Sequence, residues 1–184
     1  GTEISDDCPE IAGTSTSGSL GCTDSDGDSW ADTHDEYPMD GTQWVDSDSD
    51  GYGDNQTGTN PDSCPSVEGY SEFDRMGCPD ADEDGYSNPS GDWGTEDGAD
   101  AFPTKDTQWR DSDSDGFGDN PSPAYLSDDC PSVSGTSTQD LLGCRDSDGD
   151  GWSDEGDVFE DDPSQWSDSD ADGYGASPSP ASMP

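Results

Sequence analysis

The chain has 184 residues, of which 47 are acidic and only four are basic, and its formal net charge is −43. Only 24% of the residues are hydrophobic. Burial of so little apolar surface cannot offset the ordering cost of about 1–2 kcal/mol per residue, so composition alone indicates a disordered acidic chain. The negative surface argues against nucleic acid and anionic membranes as partners and favours cations.

Six cysteines in a chain poor in lysine and rich in Ser, Thr, Gly and Pro indicate an oxidising setting. No run of 18 apolar residues is present, so no insertion into a membrane is expected. The chain begins at Gly1 and shows no signal peptide, which suggests a mature or excised piece of a secreted precursor. The expected location is therefore extracellular, either secreted or on the cell surface.

A repeated unit argues against disorder. Three cysteine pairs, each 14 residues apart with Pro after the first Cys, are followed by an acidic loop, a spacer that ends in Gln-Trp, and a second acidic loop. This register predicts three repeats at residues 1–63, 64–129 and 130–184. The second repeat has an insertion near residues 88–99, and the third ends in a truncated loop and a Pro/Ser-rich tail. We number the acidic loops 1 to 6 in chain order.

Each of the six loops places Asp at positions 1, 3 and 5 and an aromatic residue at position 7. This spacing is close to that of an EF-hand loop, in which alternate side chains and the carbonyl at position 7 surround Ca²⁺ with six to eight oxygens. Gly at position 6, replaced in loop 1 by Ser29, permits the sharp curl. We expect at least one Ca²⁺ per loop.

In the first loop of each repeat, positions 9 and 12 add further oxygen donors. The predicted ligands are Asp24, Asp26, Asp28, Trp30, Asp32 and Asp35 in loop 1, Asp80, Asp82, Asp84, Tyr86, Asn88 and Asp100 in loop 3, and Asp146, Asp148, Asp150, Trp152, Asp154 and Asp157 in loop 5. The aromatic residue is expected to offer its carbonyl to the ion and its ring to local packing. Binding of an aromatic ligand by these rings is the alternative.

The second loops have no acid at position 12. Their predicted ligands are Asp46, Asp48, Asp50, Tyr52 and Asp54 in loop 2, Asp111, Asp113, Asp115, Phe117 and Asp119 in loop 4, and Asp168, Asp170, Asp172 and Tyr174 in loop 6. Asp62 and Asp128 lie two residues before a Cys-Pro, where they could return to loops 2 and 4. Asp40, Asp106 and Asp162, in the spacers, could bridge neighbouring ions.

Loops of the DxDxDGxxD type, punctuated by Cys-Pro over about residues 6–176, resemble thrombospondin type 3 repeats of the kind found in secreted microbial proteins. The resemblance implies an irregular chain wound around a string of Ca²⁺ ions that replaces a hydrophobic core. The absence of a 3.6-residue apolar period likewise predicts minimal helix and few short strands. The expected fold is thus an elongated array of coil, stapled by local disulfides.

Identical spacing favours the disulfides Cys8–Cys22, Cys64–Cys78 and Cys130–Cys144, with pairing between repeats as the alternative. Such local closure is one departure from the thrombospondin pattern. The other is loop 6, which has Ala176 where an acid is expected at position 9.

No nucleophile with a nearby base is evident, His34 is the sole histidine, and neither an enzyme nor a small-molecule substrate is expected. The sequence predicts a calcium-binding structural protein, a Ca²⁺-stiffened rod. Asp6 matches Asp62 and Asp128, while loop 6 lacks its closing acid, so identical subunits could assemble head to tail into an extracellular filament. The alternative is a calcium-dependent spacer or adhesion segment of a larger cell-surface protein, cut from a longer array.

Overall fold

The backbone is almost entirely irregular. The computed structural model describes residues 5–175, and within that range there is no α-helix and no extended strand. Isolated parallel bridges join Ser17 to Trp30, Gly53 to Pro61 and Gly118 to Ser127. The prediction of a mostly irregular chain is confirmed, and the few expected strands are reduced to such bridges. The Pro/Ser-rich tail lies outside the described residues.

The chain divides into two compact units, Gly1–Ser90 and Gly91–Pro184. The boundary falls inside the predicted second repeat, in the insertion near residues 88–99. The first unit therefore contains loops 1 to 3, and the second contains loops 4 to 6. The division of the sequence into three repeats stays a prediction.

The three predicted disulfides, Cys8–Cys22, Cys64–Cys78 and Cys130–Cys144, are all present. We call the enclosed stretches disulfide segments 1 to 3. Each closes a loop of about 15 residues, which restricts the unfolded chain by about 3 kcal/mol in the chain-entropy account. These disulfides fit a secreted or extracellular protein. Within residues 5–175 no helix is both long enough and apolar enough to cross a bilayer.

Small polar residues fill the disulfide segments. A buried Ser in each segment accepts a hydrogen bond from the backbone N–H of the second Cys, at 2.8 Å for Ser15, 3.1 Å for Ser71 and 2.9 Å for Ser137. Two residues earlier, a Gly lies directly against the backbone of that Cys. A Cβ at Gly69 would lie 2.0 Å from the carbonyl carbon of Cys78, so no larger residue fits there.

Each disulfide segment also contacts the loop that follows it. Two consecutive backbone N–H groups of the segment donate to the carbonyl of the loop's position 6, at 2.7–2.9 Å. The donor pairs are Thr16 and Ser17 for loop 1, Glu72 and Phe73 for loop 3, and Thr138 and Gln139 for loop 5. The same contact therefore occurs three times, and it fixes the middle of each first loop on a covalently closed segment.

The interior is polar. The buried apolar residues within residues 5–175 are Cys22, Ala31, Cys78, Ala99 and Cys144, whereas Gln43 and Gln108 are among the largest fully buried side chains. Interior space is thus filled mainly by groups that must be hydrogen-bonded to be tolerated.

The two buried glutamines tie each spacer to the loop that follows. Gln43 Nε2 donates to the carbonyls of Asn55 and Thr59 at 3.1 and 3.0 Å, and its Oε1 accepts from Asn55 N at 3.0 Å. Gln108 makes equivalent contacts around Asn120. A Cβ at Gly53 would lie 2.1 Å from Gln43 Oε1, which explains the glycine at that position.

Replacing Gln108 with Leu is expected to lower the free energy of unfolding by about 3 kcal/mol, because it removes the partners of the Asn120 N–H and of two carbonyls. Chemical denaturation in saturating calcium measures the change. The exposed Gln139, replaced by Leu, is the control and is expected to change stability by less than about 0.5 kcal/mol. Equal effects of the two substitutions would contradict the role given to the buried glutamine.

Candidate metal centres

The carboxylate at position 1 folds each loop around itself. In loop 5, Asp146 Oδ1 accepts from Gly149 N at 2.7 Å, and Oδ2 accepts from Gly151 N at 2.9 Å. Loops 1 to 4 repeat both bonds with their own position-1 Asp. One side chain thus holds the backbone at positions 4 and 6, so the loop curls toward its own first residue.

This curl requires left-handed backbone at two positions in every loop. Position 4 has a positive φ at Gly27, Ser49, Glu83, Ser114, Gly149 and Ala171, and position 6 has one at Ser29, Gly51, Gly85, Gly116, Gly151 and Gly173. Ser29 adopts a φ of 89° although it is not a glycine. Loop 1 therefore keeps the shared geometry despite the missing glycine, at a cost of about 1–2 kcal/mol.

The curl brings the three alternate carboxylates together. In loops 1 to 5, one oxygen from each of positions 1, 3 and 5 lies within 4.8 Å of the others, and one further acidic group of this kind is present. At position 5, Oδ1 accepts from the backbone N–H of position 7 at 2.7–3.0 Å in all six loops. The bond orients this carboxylate and leaves Oδ2 for another partner.

Several of these oxygens are buried without a hydrogen bond. They include Oδ2 of Asp28, Asp84 and Asp150 at position 5, and both carboxylate oxygens of Asp48 and Asp113 at position 3. An unpaired buried carboxylate oxygen is costly, and several of them facing one point favour a bound cation. The donor set, made only of oxygens, fits Ca²⁺.

Asp62 lies beside loop 2, although it belongs to the stretch that leads into disulfide segment 2. Its side chain is fully buried, Oδ1 accepts from Cys64 N at 2.7 Å, and Oδ2 has no hydrogen bond. A Cβ at Gly77 would lie 2.3 Å from Asp62 Oδ1 and 3.2 Å from Asp50 Oδ2. The structure therefore brings Asp62 to the carboxylates of loop 2.

Disulfide segment 2 adds a second contact to loop 2, because Gly69 N donates to Asp50 Oδ2 at 3.0 Å. Loop 4 has the same arrangement. Gly135 N donates to Asp115 Oδ2 at 2.8 Å, and the buried Asp128 repeats the bonding of Asp62 through Cys130 N. The centres at loops 2 and 4 are thus each built from a loop and the next disulfide segment.

The position-12 acids of loops 1 and 5, and Asp100, which corresponds to them after the insertion in the second repeat, make the same kind of backbone hydrogen bond. Asp35 is 8% exposed, its Oδ1 accepts from Tyr37 N at 2.7 Å, and the charges of Asp28 and Asp26 raise its pKa in addition to burial. Asp157 is 7% exposed and accepts from Phe159 N at 2.6 Å, next to loop 5. Asp100 is fully buried within the second unit and accepts from Phe102 N at 2.7 Å.

The position-9 residues brace the loops. Asp32 accepts from both Ser25 N and Ser25 Oγ, at 2.8 and 2.7 Å, and Asp54, Asp119 and Asp154 bind the Ser at position 2 of their own loops in the same way. Asn88 accepts from Ala81 N in loop 3. Direct contact of these residues with an ion stays a prediction.

Two of the spacer acids cap turns. Asp40 accepts from Thr42 N and Oγ1, and Asp162 accepts from Ser164 and Gln165, and these hydrogen bonds lower the pKa of both carboxyls. Such bonds favour the ionised form without an ion nearby. The bridging of neighbouring ions by Asp40, Asp106 and Asp162 stays a prediction.

The position-7 residues are half-buried in loops 1 to 5 and exposed in loop 6. In loop 5, Trp152 stacks on Trp166 of the following spacer, with ring centroids 5.9 Å apart. In loop 3, Tyr86 contacts Phe73 of disulfide segment 2 at 5.6 Å. Tyr174, in loop 6, is 81% exposed. In loops 3 and 5 the ring packs on a residue of the same unit, which is the local packing expected of it.

The sequence analysis did not predict one side-chain contact, a hydrogen-bonded Asp–Ser pair that joins a disulfide segment to the loop after it. Both oxygens of Asp140 accept from Ser153, and Asp74 binds Ser87 in the same way. In the first repeat the equivalent residues are Gly18 and Ala31, so both partners are absent together. Because the Asp and the Ser are replaced together in the first repeat, a comparison of the three repeats could have indicated that the two residues are in contact.

Burial and like charge raise the pKa of many of these carboxyls. Burial is the main cause for Asp62 and Asp84, whose pKa rises to about 6, and neighbouring Asp residues add to it. The same causes raise the pKa of Asp35, Asp48, Asp113, Asp128 and Asp148. Without a cation, the folded loops therefore resist ionisation, and either protons or a divalent ion relieve this.

No protein-family model and no curated protein matches the chain. The interpretation of the loops therefore depends on their geometry. The resemblance to thrombospondin type 3 repeats stays a prediction.

Calcium-free protein is expected to be more compact at pH 4 than at pH 7.5. A carboxyl whose pKa is raised on folding stabilises the fold below its unfolded value of about 3.9, and this stability is lost as pH rises through the folded value, about 6 for Asp62 and Asp84. The hydrodynamic radius of metal-stripped protein tests this. An equal or larger radius at pH 4 would contradict the prediction.

Proposed function

We propose that this protein is a calcium-binding extracellular structural protein whose fold depends on its ions. The observation that carries the proposal is the repeated convergence of three carboxylates, with buried oxygens that have no hydrogen bond. The backbone bonds that create this convergence recur from loop to loop, so each loop is a cation site built in the same way.

The donor set favours Ca²⁺ over other divalent ions. Three carboxylates, a closing acid and the position-7 carbonyl together supply the several oxygens that Ca²⁺ takes in flexible geometry. Mg²⁺ dehydrates reluctantly and uses fewer protein ligands. Zn²⁺ prefers sulfur and nitrogen, but all six cysteines are in disulfides and the single histidine, His34, is exposed.

Ion binding supplies the stability that the polar interior lacks. An ion bound to the folded loop and not to the unfolded chain shifts the folding equilibrium by its binding free energy. With a net charge of −43, the ion-free chain is also opposed by its own repulsion. Calcium therefore favours folding in two ways. Its binding free energy stabilises the folded loops, and its positive charge reduces the repulsion between their carboxylates.

Calcium is expected to compact the metal-stripped protein, and Asp62→Asn is expected to weaken one site about tenfold. The substitution removes a buried charge that closes loop 2, and a hydrogen bond or ion contact to a charged group contributes about 1.5–3 kcal/mol. Calorimetric titration, with native mass spectrometry for the number of ions, measures both effects.

Asp92→Asn, at an exposed position, is the control and is expected to leave every site unchanged. A hydrodynamic radius that does not change between chelator and millimolar calcium would exclude the proposal. If the two variants gave identical titrations, the protein would still bind calcium, but Asp62 would not be one of the ligands.

We further propose that identical subunits join head to tail into a filament. Asp6 has the internal geometry of Asp62 and Asp128, with Cys8 N donating to its Oδ1 at 2.8 Å. Unlike them, Asp6 is exposed. Asp170, Asp172 and Tyr174 of loop 6 are exposed as well. An identical neighbour could bring Asp6 to loop 6, as Asp62 is brought to loop 2, and such a contact propagates as a fibre.

Electron microscopy in calcium is expected to show filaments that disappear in chelator and are reduced by Asp6→Asn. Glu10→Gln, also exposed on disulfide segment 1, is the control and is expected to assemble normally. Monodisperse short rods for the unmodified protein would favour the second candidate, a calcium-dependent spacer or adhesion segment of a larger surface protein. In that case a preceding loop of the same chain would meet Asp6.

A further inference from the structure

A cavity of about 380 Å³ lies beside loop 3 in the first unit. Its lining includes Tyr70, Glu72 and Phe73 of disulfide segment 2. Loop 3 contributes Glu83 and part of the carboxylate triad. The volume is near the lower end of ligand pockets, about 300–1,000 Å³. It therefore suits a group the size of one side chain.

Two of the residues that line this cavity are aromatic, and more than half of the surface of each is exposed to solvent. Tyr70 is 55% exposed and Phe73 is 66% exposed. Phe73 is held in place, because a Cβ at Gly85 would lie 2.5 Å from its ring and because the ring contacts Tyr86 at 5.6 Å. The cavity thus offers the face of a ring that is already positioned.

These features are confined to the second repeat. The residues equivalent to Tyr70, Glu72, Phe73 and Glu83 are Thr14, Thr16, Ser17 and Gly27 in the first repeat and Thr136, Thr138, Gln139 and Gly149 in the third. Loops 1 and 5 form the same carboxylate triad without these rings and acids. The four residues are therefore not needed for the triad, yet all four line one cavity.

The charge of the cavity calls for a cation from outside the chain. The basic residues make other contacts: Arg110 with Asp119, Arg145 with Asp154, Lys105 with the ring of Tyr125, and Arg75 with the carbonyl of Ser63. One calcium ion at loop 3 would offset two of the three negative charges of the triad and would not offset Glu72 and Glu83, which lie outside it. An electronegative cavity with exposed ring faces favours a cation that stacks.

We propose that this cavity binds an arginine side chain of a partner protein. A planar guanidinium stacks on the ring of Tyr70 or Phe73, and its N–H groups donate to the carboxylates of Glu72 and Glu83. The chain already uses the same kind of contact, with Lys105 Nζ 4.3 Å from the centroid of the Tyr125 ring. The inference goes beyond calcium binding and requires only that loop 3 is folded.

The test is a calorimetric titration, in saturating calcium at physiological ionic strength, with the peptide acetyl-Gly-Arg-Gly-amide. The matched neutral probe replaces arginine by citrulline, which keeps the shape and removes the charge. Weak binding of the arginine peptide alone is expected. Tyr70→Thr with Phe73→Ser, which inserts the residues of the first repeat, is expected to weaken it about tenfold. Glu72→Gln with Glu83→Gln retains the size of both side chains and is expected to have a similar effect.

A converse variant transfers the site to the third repeat. Thr136→Tyr, Thr138→Glu, Gln139→Phe and Gly149→Glu together are expected to create a second arginine site, seen as a doubled stoichiometry. Unchanged affinity in the Tyr70/Phe73 variant would overturn the proposal, since binding would then reflect net charge alone. Binding of citrulline or of a neutral saccharide with the same dependence on the rings would also overturn it.

Calcium-induced compaction, measured on every variant, separates this inference from the proposed function. Normal compaction with no arginine binding by the unmodified protein would overturn the inference and leave the calcium function standing. Arginine binding that is insensitive to chelator would support the cavity while counting against a calcium-dependent fold.

Discussion

Repulsion between carboxylates held a few ångströms apart is the constraint on which the rest of the structure depends. Three ionised groups within 4.8 Å of one another repel by several kcal/mol per pair at the effective dielectric constant of about 20 that suits protein sites. Without compensation the loops would open. The backbone is nevertheless held in the closed form by its hydrogen bonds to the position-1 carboxylate, so each of loops 1 to 5 concentrates negative charge at its centre.

Many of the carboxylates are themselves held in position by hydrogen bonds from the backbone. In Asp62, Asp128 and the position-5 residues of loops 1, 3 and 5, Oδ1 is fixed by a backbone N–H and Oδ2 is left without a hydrogen bond. One oxygen thus positions the side chain, and the other is presented to the centre. The buried Ser and Gln side chains act in the same way, because they stabilise the interior through hydrogen bonds to the backbone rather than through burial of apolar surface.

Much of this organisation is readable from the sequence, because it repeats. The Asp triads, the glycines at position 6 and the local disulfides each occur in register, and a local disulfide or a curl within one loop needs no knowledge of distant contacts. Gln43 could not be placed in the same way. Its partners, Asn55 and Thr59, lie 12 and 16 residues away, and a polar residue beside Trp44 gives no sign of burial.

Position 9 has a contact that the analogy with an EF-hand does not predict. The spacing of Asp32 predicts a ligand, and this stays a prediction, but the structure shows in addition that both carboxylate oxygens accept hydrogen bonds from Ser25 at position 2 of the same loop. Asp-Ser occurs at positions 1 and 2 in five loops, and in the four that also have Asp at position 9 the two side chains are hydrogen-bonded. Only a known backbone curl reveals that positions 2 and 9 lie close together. The compact units were also hidden, since their boundary falls within a repeat.

The first loops of the three repeats share the carboxylate triad and differ at positions outside it. Glu83 adopts a φ of 63° at a position that is Gly27 in loop 1 and Gly149 in loop 5. A positive φ at position 4 also occurs without glycine in the second loops, at Ser49, Ser114 and Ala171, so the backbone geometry itself does not call for a carboxylate. Nothing in the triad of loop 3 requires a carboxylate there. The shared carboxylate geometry leaves the outer faces of the disulfide segments free to diverge, and only the second repeat combines a carboxylate at this position with two exposed rings in the preceding disulfide segment. This combination is what the proposed arginine site depends on.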